Sequence, residues 1–530
     1  MSSTCGATQP GTAYPGHHAR VAGGRPAVLM AGSGESRTFA ELDDRSRRFA
    51  AVLHHLGLRS GDHLAMVIEN RPEFLEVAWA AQRSGLYFTP MNPKLTAGEL
   101  AYIIDDCDAR VVVLSAAVAA LGPLAEHALP TVEAWFAVGG AVARHDDYER
   151  VVRETPPDPS VPELEGQRMM YSSGTTGRPK GIFRPLSGHP AGTEDKLTGR
   201  LRSLYGVDES SVFLTPAPLS HGAPMGFSLA VNRIGATLVV MERFDPEAWL
   251  ATVEQHRVTH VQCVPTMLIR LLRLPIVVRS RYDISSLRCV IHAAAPCPAP
   301  IKHDVIKWLG PIVHEYYAGS EGTGFVALDT AEWLAHEGSV GRILEGEIHI
   351  LAEDGTEVPL GQSGQVYFSG SAPFAYYKNP KATADAFDER GWTTLGDVGH
   401  LDEDGFLYLT DRKTFMIISG GVNVYPQEVE NVLASHPSVA DVAVIGVPDA
   451  DLGERVIAVV QPEPDFLDAD LAGALLQHCR QHLAGFKCPR QFEFVGSLPR
   501  DENGKLYKRA LRGEYTSRAA VTEGSGPGAG

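Results

Sequence analysis

From Thr38 to about residue 400, short apolar runs alternate with stretches whose apolar residues recur every three to four positions. Residues 39–56 have helical spacing, residues 61–68 end in a strand-like run, and a second helical stretch follows through Ala80. Residues 109–114 (Ala-Arg-Val-Val-Val-Leu) read as a buried strand, and 237–241, 260–264 and 287–291 repeat the type with helical segments between them. Strands that are apolar nearly throughout predict largely parallel sheets with helices on both faces.

The rhythm changes near residue 400. Residues 405–409 read as a strand and Asp411-Arg-Lys413 as a charged break. Strands at 439–447 and 455–460 and a helix at 468–483 then make an α+β unit. The predicted class is α/β: a large N-terminal α/β domain with packed sheets, followed by a small α+β C-terminal lid. We place the N-terminal domain at 26–411 and the mobile C-terminal domain at 412–514. Residues 1–25 and 515–530, rich in Gly, Ser, Ala and Pro, read as flexible ends.

Length supports the division, since 530 residues exceed what one hydrophobic core holds. Charge narrows the partners: 47 Lys and Arg against 64 Asp and Glu leave a net charge of -17, which repels nucleic acid and anionic membranes. Seven scattered cysteines without a CxxC pair argue against a disulfide framework or a zinc site. No apolar run approaches a membrane span and the N-terminus has no continuous apolar leader, so a cytoplasmic protein is expected.

One loop carries chemistry. Tyr171-Ser-Ser-Gly-Thr-Thr-Gly-Arg-Pro-Lys-Gly181 packs three Gly, four Ser/Thr hydroxyls and two cations into eleven residues. Gly174, Gly177 and Gly181 let backbone N–H groups face an anion. Ser172, Ser173, Thr175 and Thr176 add hydroxyl donors and Lys180 a point charge. Such a set suits polyphosphate. It is not a Walker A loop, because the GxxxxGK[ST] spacing is absent.

The loop resembles the signature of the adenylate-forming superfamily, which comprises acyl- and aryl-CoA synthetases, peptide-synthetase adenylation domains and beetle luciferases. The resemblance runs from about Thr38 to Arg512 and is greatest to acyl-CoA synthetases. It implies two steps: a carboxylate attacks ATP to give acyl-AMP and pyrophosphate, then a thiol displaces AMP. ATP, Mg²⁺ and coenzyme A are the implied cofactors and co-substrates. Tyr316-Tyr-Ala-Gly-Ser-Glu-Gly322 resembles the family's Tyr-Gly-x-Thr-Glu motif, with Ala318 and Ser320 as small departures. By that match Glu321 is the metal ligand, Ser320 contacts phosphate, and Tyr316, Tyr317 and Gly319 line the nucleotide. A hard cation on a carboxylate oxygen offsets the repulsion between ATP and an incoming carboxylate.

Further motifs follow in order. Ala293-Ala294-Ala295-Pro296 matches the adenine segment, where small side chains admit a planar base. Asp397, after Gly396, matches the ribose-binding carboxylate, and Arg412 its partner. Lys505, in Leu498-Pro-Arg-Asp-Glu-Asn-Gly-Lys505, matches the catalytic lysine that bridges the two reacting anions. Gly420 and Gly421, before Val-Asn-Val-Tyr-Pro426, match the loop that passes the pantetheine arm; Lys487 matches a segment near the CoA path. Thr414 stands where the family has its hinge Asp or Lys. His221 matches the gate of the acyl pocket.

The segments behind His221 are built of Ala, Gly, Met, Val and Phe without Arg or Asp. That predicts an apolar, bulky acid: fatty, steroid- or terpenoid-like, or aryl. The acceptor is CoA or, in the competing reading, an acyl carrier protein; residues 341–396 lack the extra segment that marks carrier-dependent relatives. The motifs leave an oxidative, luciferase-like reading open. A non-catalytic nucleotide-binding protein would have lost Lys505 or Glu321, and both are present. The sequence leaves a homodimer open.

Overall fold

A strand buried on both faces must place every other residue against a helix or a second layer, so its apolar run dictates where helices pack. The computed structural model of the chain describes residues 11–119, 124, 127–172, 179–370, 372–412, 415–419, 422–449, 452–466, 470–500 and 506–524. It divides into two compact units, one of residues 1–263, 270–291 and 372–385, the other of 264–269, 292–371 and 386–530.

The first unit holds a six-stranded parallel sheet. Its order is Asp146–Asp147, Ala134–Val138, Ala109–Ser115, His63–Val67, Tyr87–Pro90, Gln167–Arg168. His63–Val67 is buried at every position, as the apolar run requires. A second ladder runs His260–Cys263, Val212–Thr215, Thr237–Val240, Pro26–Met30, Ser36–Thr38, parallel except for the last pair. The predicted helix at 39–56 is Phe39–His55, started by a capping box of Thr38 and Glu41. A small antiparallel sheet of Ala375–Tyr376, Lys180–Phe183 and Met170–Ser172 completes the unit.

The second unit pairs Val313–Tyr317, Phe325–Leu328 and Arg342–Glu345 antiparallel. A four-stranded antiparallel sheet follows, in the order Glu347–Leu351, Gly364–Ser369, Asp397–Leu401, Leu407–Arg412. Asp411 and Arg412, read above as a break, therefore belong to a strand. That strand is the edge of its sheet. The C-terminal segment has its own apolar core, including Ile417, Val429, Leu433, Val444, Val456 and Leu475. It forms between the long hairpin of Val439–Asp449 and Gly453–Pro462 and the helices Pro426–Ala434 and Leu471–His482.

Helices reach into both of the stretches read as flexible ends. Pro15–Ala22 is helical because Tyr14 is buried, Pro15 starts the turn and buried His18 bonds the carbonyl of Arg233. Lys508–Gly524 is helical because Leu511 and Tyr515 close over the hairpin core beside Ile445 and Val447. Composition hid both, since a few buried anchors decide them. Residues 1–10 and 525–530 lie outside the described residues. The described cysteines are all free, and no described helix is long and apolar enough to cross a membrane.

Burial has a pH consequence. His63 stacks on Tyr87 at 4.7 Å between ring centroids and lies 5.2 Å from Tyr377. Loss of hydration lowers its imidazole to about 4, against the opposing pull of Asp108 and Asp62. The folded value lies below the unfolded one, near 6.5, so the neutral ring's contribution is complete above 6.5 and lost as pH falls toward 4. His63→Phe should therefore lose less stability on acidification, the gap in melting temperature reaching roughly 2–4 °C by about pH 4. Parallel melting curves for parent and variant across that window would refute this.

Candidate active site

The loop singled out for phosphate opens from a hairpin. Met170–Ser172 and Lys180–Phe183 pair antiparallel, with Ser172 opposite Lys180 and Tyr171 opposite Gly181. Ser172 and Lys180 thus face each other at the mouth. Ser173, Gly174, Thr175, Thr176 and Gly177 lie outside the described residues. Gly181 is required by packing, because a Cβ there would sit 2.9 Å from Cζ of Tyr171. Lys180 Nζ lies 5.1 Å from the centroid of the Tyr376 ring, a cation–π contact.

Helix Ala97–Asp106 anchors both arms of this hairpin. The Tyr171 hydroxyl donates to Asp106 Oδ2 at 2.6 Å, and the Tyr102 hydroxyl donates to the Pro179 carbonyl at 3.1 Å. Burial, then the neighbouring Cys107 and Asp106, raise the Tyr171 hydroxyl far above its ordinary value, so it remains a donor. Sequence reading missed both anchors. A Tyr and an Asp on an amphipathic helix carry no local signal of what they bond.

In the second unit the Tyr-Tyr-Ala-Gly-Ser-Glu motif leaves the end of strand Val313–Tyr317. Tyr316 stacks on Phe325, ring centroids 5.3 Å apart and planes within 8°. The Tyr317 hydroxyl donates to Asp397 Oδ2 at 2.5 Å, joining motifs 80 residues apart. Ala318, Gly319, Ser320 and Glu321 then turn, with the Gly322 N–H donating to the Gly319 carbonyl at 3.0 Å. A Cβ on Gly319 would lie 2.4 Å from Leu395 Cδ2 and 3.0 Å from Glu321 Oε2. Leu395 and the Glu321 carboxylate occupy the space that this glycine leaves.

Asp397 is 6% exposed and opens strand Asp397–Leu401. The residues before it are zipped to strand Gly364–Ser369: Thr393 and Phe368 exchange backbone hydrogen bonds, and the Thr394 hydroxyl donates to the Val366 carbonyl. Gly396 has φ +81°, a conformation that favours glycine. Asp397 stands opposite Arg412 in the ladder. Tyr317, Asp397 and the backbone of Arg412 are thereby brought together from three separate motifs.

The "AMP-binding enzyme" family profile matches residues 16–378, and the "AMP-binding enzyme C-terminal domain" profile matches 428–505. The chain belongs to the AMP-binding enzymes. It is 35% identical to a feruloyl-CoA synthase of Amycolatopsis sp over 95% of this chain and 98% of that one. It is 31% identical to the 2-succinylbenzoate–CoA ligase of Bacillus licheniformis over 89% of this chain and 94% of that one. Among solved structures it resembles an amide bond synthetase from Marinactinospora thermotolerans, with TM-score 0.80 and 30% identity over 93% and 97% of the two chains. The adenylate-forming fold expected from sequence is the observed one. The chain is an AMP-forming acid–CoA ligase that uses ATP, a carboxylic acid and CoA.

The remaining predicted residues of this AMP-binding enzyme fall into place unevenly. Ala294, in the segment Ala293 to Pro296 beyond strand Cys289–His292, has φ +75°. A non-glycine residue there stores about 1–2 kcal/mol, and such strain clusters at working sites. His221 sits at the N-cap of helix Gly222–Ile234 without a side-chain cap bond. Its loop is held by Asn70, unforeseen from sequence. Asn70 Nδ2 donates to the carbonyls of Ala217 (3.1 Å) and Met241 (2.7 Å), and its Oδ1 accepts from the Leu219 N–H at 2.7 Å. Lys487, expected near the CoA path, donates to both oxygens of Glu428 at 2.7 and 2.8 Å. Thr414, Gly420, Gly421 and Lys505 lie outside the described residues.

Among the described residues no group of three or more His, Cys, Asp or Glu side chains converges to hold a metal. Glu321 alone offers one hard oxygen donor group, which fits Mg²⁺ completed by phosphate oxygens and water. Tyr317→Phe removes one donor to the proposed ribose carboxylate, a loss of about 1 kcal/mol. The KM for ATP should rise roughly fivefold while the KM for the acid stays unchanged. Steady-state kinetics with each substrate varied decides this; equal changes in both constants would contradict it.

Proposed function

We propose that this ligase activates an apolar, bulky carboxylic acid, with an aryl acid ahead of a fatty or steroid- or terpenoid-like one. The observation that carries the reading is the helix behind His221. Met225, Phe227, Leu229 and Ala230 on it are buried, and the segments 221–230, 291–295 and 322–328 contain neither Arg nor Asp. A charged tail would have no counter-charge there. The relatives named for feruloyl and 2-succinylbenzoyl substrates support the aryl choice.

In the first step a carboxylate oxygen forms a bond to the α-phosphorus of ATP and the bond to the pyrophosphate oxygen breaks. Ser172, Ser173, Thr175, Thr176 and Lys180, with the N–H groups around Gly174 and Gly177, hold the leaving phosphates. Mg²⁺ on Glu321 would supply positive charge to the same oxygens. Ala294, Ala295 and Pro296 cover adenine, Asp397 and Arg412 hold the ribose, and Lys505 offsets the repulsion between the two reacting anions. In the second step the CoA sulfur attacks the acyl carbon, AMP leaves, and the thiol proton passes to water. By the resemblance of their motifs, Lys505 serves the first step and Gly420 and Gly421, beside which the pantetheine arm passes, the second.

ATP–pyrophosphate exchange over a panel of aryl, fatty and steroid acids tests the substrate class. Exchange with aryl acids is expected, and a preference for amino acids would overturn the reading. CoA, a carrier protein and a simple amine offered as acceptors separate the thioester route from its competitors; the amine belongs in the set because of the amide bond synthetase likeness. Lys505→Ala should slow acyl-AMP formation by about 10²-fold or more, while supplied acyl-AMP still reacts with CoA. Normal adenylation by that variant would remove Lys505 from its role.

A further inference from the structure

A buried ion pair lies beneath the segments assigned above to the nucleotide. Lys302, on helix Ala299–Leu309, is 1% exposed. Its Nζ donates to Glu315 Oε2 at 2.5 Å and lies 4.7 Å from the centroid of the Trp333 ring. Glu315 stands on strand Val313–Tyr317, two residues before the tyrosine that bonds Asp397. On the other side of its carboxylate is His292, fully buried, with Nε2 3.7 Å from Glu315 Oε2. Neither nitrogen of that ring has a hydrogen bond. His292 ends strand Cys289–His292, and Ala293 and the strained Ala294 follow at once.

A buried charged pair is a poor source of stability, since desolvating both ions offsets their attraction and an apolar pair of similar size often does as well. Lysine at this place therefore calls for another reason. The geometry supplies one. The carboxylate sits at the roots of two segments, one leading to Ala293 to Pro296 and the other to Tyr316 to Glu321. Its oxygen is held by a cation on a third element, the helix Ala299–Leu309. A charge-assisted hydrogen bond is directional and, if broken, leaves two buried charges unpaired, so it holds the spacing of the elements it joins.

We propose that Lys302 and Glu315 are positioning residues that set the separation of the adenine segment from the Tyr-Tyr-Ala-Gly-Ser-Glu turn. They thereby control the grip on ATP without touching it. The inference rests on the assignment of those two segments to the nucleotide.

The test uses the full chain and two variants. Lys302→Met alone leaves Glu315 without its cation and is expected to lower the melting temperature. The double variant Lys302→Met with Glu315→Leu replaces the pair by apolar groups and is expected to melt close to the parent. In the double variant the Kd for ATP, measured by calorimetry without acid or CoA, should rise at least tenfold. The KM values for acid and CoA should stay within twofold. An unchanged Kd in a stably folded double variant overturns the proposal, as does a proportional rise in all three constants. Parent protein that binds ATP yet exchanges pyrophosphate with no acid would sink the substrate reading, while the Kd comparison still decides this one. Parent protein that fails to bind ATP would sink both.

Discussion

The hydrogen bond from the Tyr317 hydroxyl to Asp397 is the contact that ties the motifs of the second unit together. In the function proposed above Asp397 holds the ribose, and a buried carboxylate keeps its aim only if donors hold it. Tyr317 supplies one from the end of its strand. The zipped residues before Asp397 fix its backbone, and the ladder to Leu407–Arg412 sets Arg412 opposite it. Remove the tyrosine oxygen and the carboxylate keeps its place in the strand but loses one of the groups that point it.

The same logic operates one layer deeper and at the phosphate hairpin. Glu315 is buried beside Lys302, and half-buried Tyr171 bonds Asp106. In each case a polar atom that burial would penalise is held by a partner on another element, and the partner thereby fixes a loop. Asn70 does this with three backbone hydrogen bonds around the loop leading to His221. The apolar strands build the platform, while a few satisfied polar groups decide where its loops stand. Where the partner is missing, as at His292, the buried ring sits below its ordinary pKa and stays neutral, pressed there by burial and by Lys302.

Charge sets a second constraint. A chain with net charge -17 must bring polyphosphate and a carboxylate to one place, and both are repelled by its average field. Local cations and N–H groups, rather than overall charge, must therefore do the binding. In the function proposed above, the glycine-rich loop before Lys180 and the motif lysine at 505 serve that end. Lys487, by contrast, is already neutralised by Glu428, so a phosphate that met it would have to displace a carboxylate.

The amino-acid sequence alone determined the fold class and the family, and it supplied the motifs on which the proposed site residues rest. These properties ride on contiguous residues: apolar runs for buried strands, a Gly-Ser-Thr-Lys loop for phosphate, single acids and bases inside short motifs. Helices 15–22 and 508–524 escaped it, because Tyr14, Leu511 and Tyr515 act only through a core assembled from elsewhere. So did Asp106, Asn70, Lys302 and Glu315. A lysine on an amphipathic helix reads as a solvated charge until the fold brings a carboxylate to 2.5 Å from it. Tertiary structure decided which polar side chains were withdrawn from water, and withdrawal is what turns a distant residue into a partner.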